Sequence, residues 1–158
     1  MSDELMELAK KVGKCLKNRG LSVTTAESCT GGGVAYWLTT IPGSSAWFDR
    51  GFITYSNEAK VNLVSVSVQT LENYGAVSEQ TAREMAEGAL HHSKADIAVG
   101  ITGIAGPGGG SSTKPVGTVW IAWAAHGKQT IAQVNVYPGD RLAIRQQAIK
   151  TALIGLLA

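Results

Sequence analysis

Residues 21–41, LSVTTAESCTGGGVAYWLTTI, carry the pattern that decides the fold. The segment 21–28 is rich in β-branched residues, which predicts a strand. A glycine-rich run over 29–33 interrupts it, and apolar residues from Val34 to Ile41 then follow at helical spacing. A strand that enters a helix through a glycine turn is typical of open α/β sheets, whose ligands bind at the carboxyl ends of the strands.

The flanking segments continue this alternation of helices and strands. A helix with Ser2 as its predicted N-cap and Gly20 at its end precedes the central stretch. A strand over 51–56 and a helix capped by Asn57 follow it. Further along, the patterns predict a helix capped by Ser78, a buried strand over 95–103, a hairpin of two strands over 116–125 and 129–137, and a last helix capped by Asp140.

This order of elements predicts the fold class. Alternating units form a largely parallel sheet with helices on both faces, and the late hairpin makes the sheet mixed. We therefore expect an α/β protein, with residues 1–158 forming one three-layer α/β/α domain around a mixed, mostly parallel sheet. The composition agrees, because 44% of the 158 residues are hydrophobic and 16% are charged, as in globular domains.

Charge and hydropathy exclude several classes of function. The net charge is only +2, and no lysine or arginine run is present, so we expect no nucleic-acid or membrane partner. No apolar run reaches the ~18 residues that a membrane span needs. The first residues do not have the basic, then apolar, pattern of a signal peptide. A cytoplasmic protein with reduced thiols at Cys15 and Cys29 is the expectation.

Ser28 is the first candidate for chemistry. It ends a predicted strand just before a glycine turn, where the free amides of the next helix can hold an anion or a developing oxyanion. Alternatively, Ser28 simply caps the turn. Cys29 is a rival nucleophile, but such a thiol usually needs a histidine base. His91, His92 and His126 lie away from the predicted carboxyl ends of the strands.

Lys60 is the candidate base. In the first turn of a helix after Asn57 it would oppose the helix dipole, and the dipole together with partial burial would lower its pKa, so that a neutral amine could deprotonate a serine. The alternative is an exposed lysine at a frayed helix end. Tyr55, five residues earlier, could relay a proton or orient the base, or could be an ordinary surface aromatic.

Glycines and arginines mark the remaining candidate positions. Thr102, Gly103 and Gly106 lie where a strand meets a glycine-rich loop, and glycines there allow a ligand to approach the backbone. Arg141 and Arg145 share one face of the last helix, which suits phosphate recognition but is also common at surfaces. No ATP-binding, dinucleotide-binding or metal-binding motif is present, so we expect no cofactor and no metal site.

These motifs together resemble a known family. The strings are TTAESCTGG (24–32), GSSAWFDRGFITYSNEAK (43–60), YGAVSE (74–79), GITGIAGPGGG (100–110), KPVGTVW (114–120) and GDRLAIR (139–145). They are similar, in the same order, to the carboxy-terminal domain of the competence-associated CinA proteins, in its stand-alone form. The resemblance covers nearly the whole chain.

The resemblance implies an activity and roles for individual residues. The activity is hydrolysis of nicotinamide mononucleotide (NMN) to nicotinate mononucleotide and ammonia, in the recycling of pyridine nucleotides, without metal. Ser28 matches the nucleophile, Lys60 the base and Tyr55 the nearby tyrosine. We expect the nucleotide to contact Thr30–Gly32 (Thr30, Gly31 and Gly32), Ser44, Ser45 and Thr102–Gly106, together with Arg141 and Arg145. The resemblance also predicts a homo-oligomer, and four tryptophans and the apolar faces near 153–157 favour one.

Two competing functions stay open on the sequence. One is a non-catalytic nucleotide-sensing module in competence or DNA-damage physiology. The other is a different amidase or esterase that uses the same serine and lysine.

Overall fold

A five-stranded sheet lies at the centre of the computed structural model, which describes residues 1–158. The strands are β1 (Val23–Glu27), β2 (Phe48–Ile53), β3 (Ile97–Gly103), β4 (Thr118–Ala125) and β5 (Ile131–Val136). The helices are α1 (Ser2–Arg19), α2 (Gly33–Thr39), α3 (Asn57–Val64), α4 (Val68–Tyr74), α5 (Glu79–His91) and α6 (Arg141–Gly155), and a short 3₁₀ turn covers Ser44–Ala46. None of these helices combines the length and the apolar character that a membrane crossing requires.

The strand order is β2-β1-β3-β4-β5, and the sheet is mixed. β1 pairs in parallel with β2 and β3, whereas β4 is antiparallel to both of its neighbours. β5 therefore runs in the same direction as the first three strands, and only β4 opposes them, which confirms the predicted mostly parallel sheet. The register places Glu27 beside Ile53 and Ile101, so the chain leaves β1 and β2 at the same edge.

Helices cover both faces, as the predicted three-layer architecture requires. On one face, α1, α2 and α6 pack on the larger core, which includes Leu16, Val34, Ile101 and Leu153. On the other face, α3, α4 and α5 pack on a smaller core that is rich in alanine. A Cβ at Gly100 of β3 would lie 2.8 Å from the Ala82 carbonyl oxygen, so α5 approaches the sheet closely.

Helix caps decide where the elements begin, and here the sequence prediction was partly wrong. Ser78 and Asp140 cap α5 and α6 as predicted, each accepting a backbone N–H three residues later. The N-cap of α1 is Met1 instead of Ser2, and that of α3 is Ser56 instead of Asn57. The Ser56 hydroxyl accepts the Ala59 N–H at 3.0 Å from extended backbone, which makes Asn57 the first helical residue.

Two further boundaries differ from the prediction. The second strand covers Phe48–Ile53 instead of 51–56, because pairing with β1 begins at Val23 opposite Phe48. Helix α4 was not predicted; its N-cap Ser67 follows Ser65, whose left-handed backbone ends α3. Pairing partners and tight turns of this kind are set by tertiary contacts more than by local periodicity.

Candidate active site

Ser28 begins the turn that connects β1 to α2. Its N–H donates to the Ile101 carbonyl oxygen at 2.9 Å, which extends the pairing with β3 by one residue. The Gly31 N–H then donates back to the Ser28 carbonyl oxygen at 2.9 Å. Gly31 and Gly32 have φ of 58° and 101°, a conformation that glycine adopts without strain. The turn therefore holds the Ser28 side chain, which is 8% exposed, at the carboxyl edge of the sheet.

Lys60 reaches Ser28 from α3. Its Nζ lies 3.2 Å from Ser28 Oγ, 3.0 Å from the Thr54 carbonyl oxygen and 3.3 Å from the Tyr55 carbonyl oxygen. The side chain is only 1% exposed, and it forms no salt bridge. Ser28 and Lys60 are therefore in direct contact, as a nucleophile and its base must be, although 32 residues separate them in the sequence.

Burial favours the neutral form of this lysine. Removal of the ammonium group from water lowers the pKa of Lys60 below its ordinary value of 10.5. Of the predicted causes, partial burial is confirmed, because desolvation is the largest contribution to the lowered pKa. A neutral amine has two N–H donors and one lone pair. Two backbone carbonyls can accept the N–H groups, which leaves the lone pair for the Ser28 hydroxyl.

Tyr55 contributes to the site in a different way from the one expected. Its backbone carbonyl, and not its hydroxyl, contacts Lys60. The ring is 60% exposed, and the hydroxyl accepts a hydrogen bond from Arg141 Nη2 at 3.1 Å. Arg141 Nη1 also donates to the Gly106 carbonyl oxygen at 2.7 Å. The tyrosine and the arginine therefore form one rim of the site.

A cleft of about 250 Å³ opens above the Ser28–Lys60 pair. Thr102, Gly103 and Gly106 line it as predicted, together with Tyr55 and Arg141. Ile104 and Ala105, within the predicted 102–106 segment, also line it, as do Cys29, Asn57, Ala76, Val77 and Gly108, which were not predicted as substrate contacts. The N–H groups of Ala105 and Gly106 donate to no atom of the chain, which leaves two donors available at the cleft wall. A larger cavity, of about 400 Å³, lies at the other end of the sheet beside Trp123 and Ile131.

Several predicted contact residues lie outside the cleft. Thr30 is fully buried and its hydroxyl donates to Glu27, so that side chain supports the turn from within. Arg145 Nη2 donates to the Thr30 carbonyl oxygen at 3.3 Å and lies against Gly31, while its Nε has no partner. Neither these residues nor Gly32 line the cleft.

Ser44 and Ser45 are far from the other predicted site residues. They belong to the 3₁₀ turn that precedes β2, and Trp47, just after this turn, accepts the Val23 N–H through its carbonyl oxygen. Because β1 begins at Val23 and ends at Glu27, these serines lie at the edge of the sheet opposite Ser28. The structure does not bring them to the cleft.

Cys29 is a poor nucleophile in this structure. Its side chain is 6% exposed and belongs to the larger core. Burial raises the pKa of the Cys29 thiol to about 12, so the reactive thiolate is scarce at neutral pH. The structure thus favours Ser28 over its neighbour.

Glu27 is a residue that sequence reasoning missed. Its side chain is 1% exposed, and its two carboxylate oxygens accept hydrogen bonds from Thr30 Oγ1, the Val34 N–H and the Ala35 N–H at 2.6, 2.9 and 3.0 Å. A charged residue at the end of an otherwise uncharged buried strand was the available signal. We expected the first amides of α2 to be free to hold an anion. That expectation is wrong, because Glu27 accepts the N–H groups of Val34 and Ala35.

Fold and site together define a class of protein. An α/β domain whose buried serine–lysine pair lies at the carboxyl edge of the sheet, under an open cleft, can carry out nucleophilic attack on a carbonyl group. No group of three or more histidine, cysteine, aspartate or glutamate side chains is arranged to hold a metal ion.

Comparison with known proteins identifies the family. The model of the CinA C-terminal domain matches residues 5–158, and the chain belongs to this family. It is 57% identical over 150 residues to nicotinamide-nucleotide amidohydrolase PncC of Escherichia coli strain K12, which covers 95% of this chain and 91% of that protein. It is 46% identical over 155 residues to the protein of the same name from Pseudomonas putida, with coverage of 98% and 96%.

A solved structure agrees with the fold. The crystal structure of the competence/damage inducible protein CihA from Agrobacterium tumefaciens superposes with a TM-score of 0.95 at 48% sequence identity. The alignment covers 98% of this chain and 96% of that one. The α/β fold described above is therefore that of solved CinA-family proteins.

Proposed function

We propose that this protein hydrolyses the carboxamide of NMN, giving nicotinate mononucleotide and ammonia, with Ser28 as nucleophile and Lys60 as general base. The observation that carries the proposal is the 3.2 Å contact between Lys60 Nζ and Ser28 Oγ beneath an open cleft. The substrate class follows from relatives that are named nicotinamide-nucleotide amidohydrolase and that match nearly the whole chain.

In the first half of the reaction, Ser28 is acylated. The lone pair of neutral Lys60 takes the hydroxyl proton while Ser28 Oγ forms a bond to the carboxamide carbon. Negative charge develops on the carboxamide oxygen. Of the turn residues that follow Ser28, Cys29 lines the cleft and its N–H donates to no other residue, so this N–H is the candidate oxyanion donor. One such donor is typically worth about 3 kcal/mol in the transition state.

The second half of the reaction releases the products. Lys60 returns its proton to the amide nitrogen, the carbon–nitrogen bond breaks, and ammonia leaves a nicotinoyl ester on Ser28. Lys60 then takes a proton from water, and the resulting hydroxide attacks the ester carbon. The ester bond breaks, Ser28 recovers its proton from Lys60, and nicotinate mononucleotide leaves. None of these steps calls on a cofactor or a metal ion.

The cleft wall suits the rest of the substrate. Apart from Lys60, Arg141 is the positively charged residue that lines the cleft, and its guanidinium can pair with a phosphate. The unpaired N–H groups of Ala105 and Gly106 lie in the same wall. The exposed ring of Tyr55 offers an aromatic surface to the pyridine ring.

The direct test is to incubate the purified protein with NMN and to measure ammonia and nicotinate mononucleotide. Equal amounts of the two products are expected, and the Ser28→Ala variant serves as the matched negative control. Binding of NMN without release of ammonia would support the nucleotide-sensing alternative and would refute the proposal.

Selectivity is tested with a small panel of amides. Nicotinamide and nicotinamide riboside lack the phosphate, so they cannot use the contact with Arg141, and we expect kcat/KM for both to fall by at least about 100-fold. Equal rates on NMN and nicotinamide would indicate a general amidase that uses the same serine and lysine.

A further inference from the structure

We infer that Glu27 is a positioning residue for the proposed reaction: its buried carboxylate holds the turn that presents Ser28 and the unpaired N–H groups. The inference rests on the proposed function and deepens it. Glu27 touches neither the cleft nor Lys60, so its effect passes through the turn.

The first observation is the way in which the carboxylate closes the turn. Glu27 immediately precedes Ser28, yet its side chain reaches forward to Thr30 Oγ1 and to the N–H groups of Val34 and Ala35. The backbone from Ser28 to Gly33 is therefore a loop whose two ends are tied to one residue. Three donors satisfy the carboxylate without a cation, which is a strong arrangement in a buried site.

The second observation is which backbone N–H groups have no hydrogen-bond acceptor. Helix α2 would otherwise offer its first N–H groups to any anion. Glu27 occupies those of Val34 and Ala35, while the N–H groups of Cys29, Thr30 and Gly32, on the turn itself, stay unpaired. The carboxylate thus closes the helix end to anions, and the unpaired donors that remain are on the turn that begins at Ser28.

The third observation is the rigidity of the position. Glu27 is paired on both sides in the sheet, opposite Ile53 of β2 and Ile101 of β3. Arg145 holds the Thr30 carbonyl oxygen from α6, so the turn is fixed from two directions. A displacement of about 1 Å in such a turn can cost about 100-fold in rate.

The experiment compares Glu27→Gln with the wild type. Both carboxylate oxygens of Glu27 accept hydrogen bonds from the turn and from α2. In the variant, an NH₂ group replaces one of these oxygens and faces an N–H or O–H donor. The two donors repel each other, which displaces the turn although the side chain keeps its size. We expect kcat on NMN to fall about 100-fold while KM stays within about threefold. The apparent pKa of the pH–rate profile should not move, because Glu27 makes no contact with Lys60.

Asp96→Asn is the matched control. Asp96, just before β3, accepts the Ser22 N–H at 2.9 Å and the Ser22 hydroxyl at 3.3 Å through Oδ2, at the end of β1 opposite Glu27. This variant weakens a hydrogen-bonded carboxylate at the far end of the sheet, so some stability should be lost while kcat is retained. If Asp96→Asn lowers kcat as much as Glu27→Gln does, the loss reflects general destabilisation and the inference is wrong.

A second pair of variants covers the case in which Glu27→Gln does not fold. Thr30→Val removes one donor to the carboxylate at constant shape, and we expect kcat to fall about tenfold. Thr30→Ser restores a hydroxyl and should recover most of that loss. A rise in KM at constant kcat in Thr30→Val would instead mark Thr30 as a substrate contact and would overturn the inference.

A fluorophosphonate probe separates this inference from the proposed function. The probe reacts with an activated serine and needs the oxyanion donors but not NMN. Slower labelling of Ser28 in folded Glu27→Gln, by about tenfold or more, supports the positioning role even if the wild type releases no ammonia. Equal labelling rates in the two proteins would refute it.

Discussion

At the residue scale, the proposed chemistry depends on an amine that is neutral near pH 7. An unperturbed lysine near pH 7.5 is neutral in only about one molecule in a thousand, which would cost about 4 kcal/mol of the barrier. Burial of Lys60, at 1% exposure, reduces that cost because desolvation penalises the ammonium form.

The pH dependence of the rate follows from this shift. We expect kcat/KM for NMN to rise with pH and to level off at an apparent pKa below 10.5, because Lys60 must lose its proton before it can act as a base. Steady-state assays from acidic to alkaline pH measure it. A rate that is flat or falls over the whole range would contradict the role of Lys60.

Substitution of Lys60 distinguishes a role as general base from a role as a positive charge. Lys60→Met removes the base, and we expect kcat to fall by about 1,000-fold with little change in binding. Lys60→Arg should be equally inactive, because a guanidinium stays charged and cannot accept the serine proton. An active Lys60→Arg enzyme would show that the lysine supplies only positive charge.

The same burial has a consequence for stability. The folded-state pKa of Lys60 is lowered and the unfolded-state pKa is ordinary, so between the two values the unfolded chain binds more protons. The contribution of Lys60 to stability is therefore unfavourable at neutral pH, and it improves as pH rises through this window. Lys60→Met, although inactive, should be at least as stable as the wild type in urea unfolding at pH 7. A large loss of stability would mean that the amine is a structural hydrogen-bonding group first.

The neighbouring pair Ser28 and Cys29 gives a sharp contrast. Ser28→Ala should lower kcat by at least about 1,000-fold while NMN still binds, because the covalent step is lost. Cys29→Ala should retain most of the activity at a stability cost of about 1 kcal/mol for the lost core volume. Calorimetric binding of NMN together with the ammonia assay distinguishes them, and the reverse pattern would transfer the role to the thiol.

At the element scale, two parallel strands and one helix bring the pair together. β1 ends just before Ser28, and β2 ends beside it at Ile53. Thr54 and Tyr55 then turn into α3, and their carbonyl oxygens contact Lys60 Nζ. The distance between Ser28 and Lys60 therefore depends on where α3 packs.

Gly88 of α5 controls that packing. A Cβ at this position would overlap the Val64 carbonyl oxygen at the end of α3. Helix propensity alone predicts that Gly88→Ala stabilises the protein by about 1 kcal/mol. We expect the opposite sign, a loss of about 2 kcal/mol, because backbone overlap forces α3 away from α5. Activity should fall as well, since Lys60 lies one turn before Val64 on α3.

The control for this variant is Gln80→Ala on the exposed side of α5, which should change stability by no more than about 0.5 kcal/mol. Urea unfolding and kcat/KM measure both effects. A Gly88→Ala protein that is more stable than the wild type would show that the contact between α3 and α5 is not tight.

At the scale of the whole molecule, the surface indicates where copies of the chain could meet. The apolar residues near the end of α6 that favoured a homo-oligomer are largely used within the chain, since Leu153 and Leu156 are core residues. A cluster of exposed apolar side chains lies on β5, an uncharged edge strand with Ile131, Val134 and Val136 at the surface. Such an edge pairs readily with another strand.

The homo-oligomer stays a prediction, and it has a direct test. Light scattering at micromolar concentration should give a mass above the 16.5 kDa of one chain. Val134→Lys places a charge on the edge strand and should shift the mass toward that of the monomer without loss of the fold. A wild-type protein that is monomeric throughout would contradict the prediction.

The sequence by itself determined the local features of this protein. The strand, glycine turn and helix of 21–41, the caps at Ser78 and Asp140, and Ser28 at the end of a strand all follow from periodicity and short-range hydrogen bonding. It also indicated Lys60 and the glycines of the 102–106 segment, which line the cleft.

Only the tertiary structure decided what these residues can do. The 3.2 Å contact between Ser28 and Lys60, and the burial that lowers the lysine pKa, come from strand pairing and helix packing between distant segments. The same is true of Glu27, whose carboxylate occupies the helix end, and of Ser44 and Ser45, which lie at the opposite sheet edge. Distances, desolvation and unpaired donors depend on neighbours that are remote in sequence, and local patterns do not contain them.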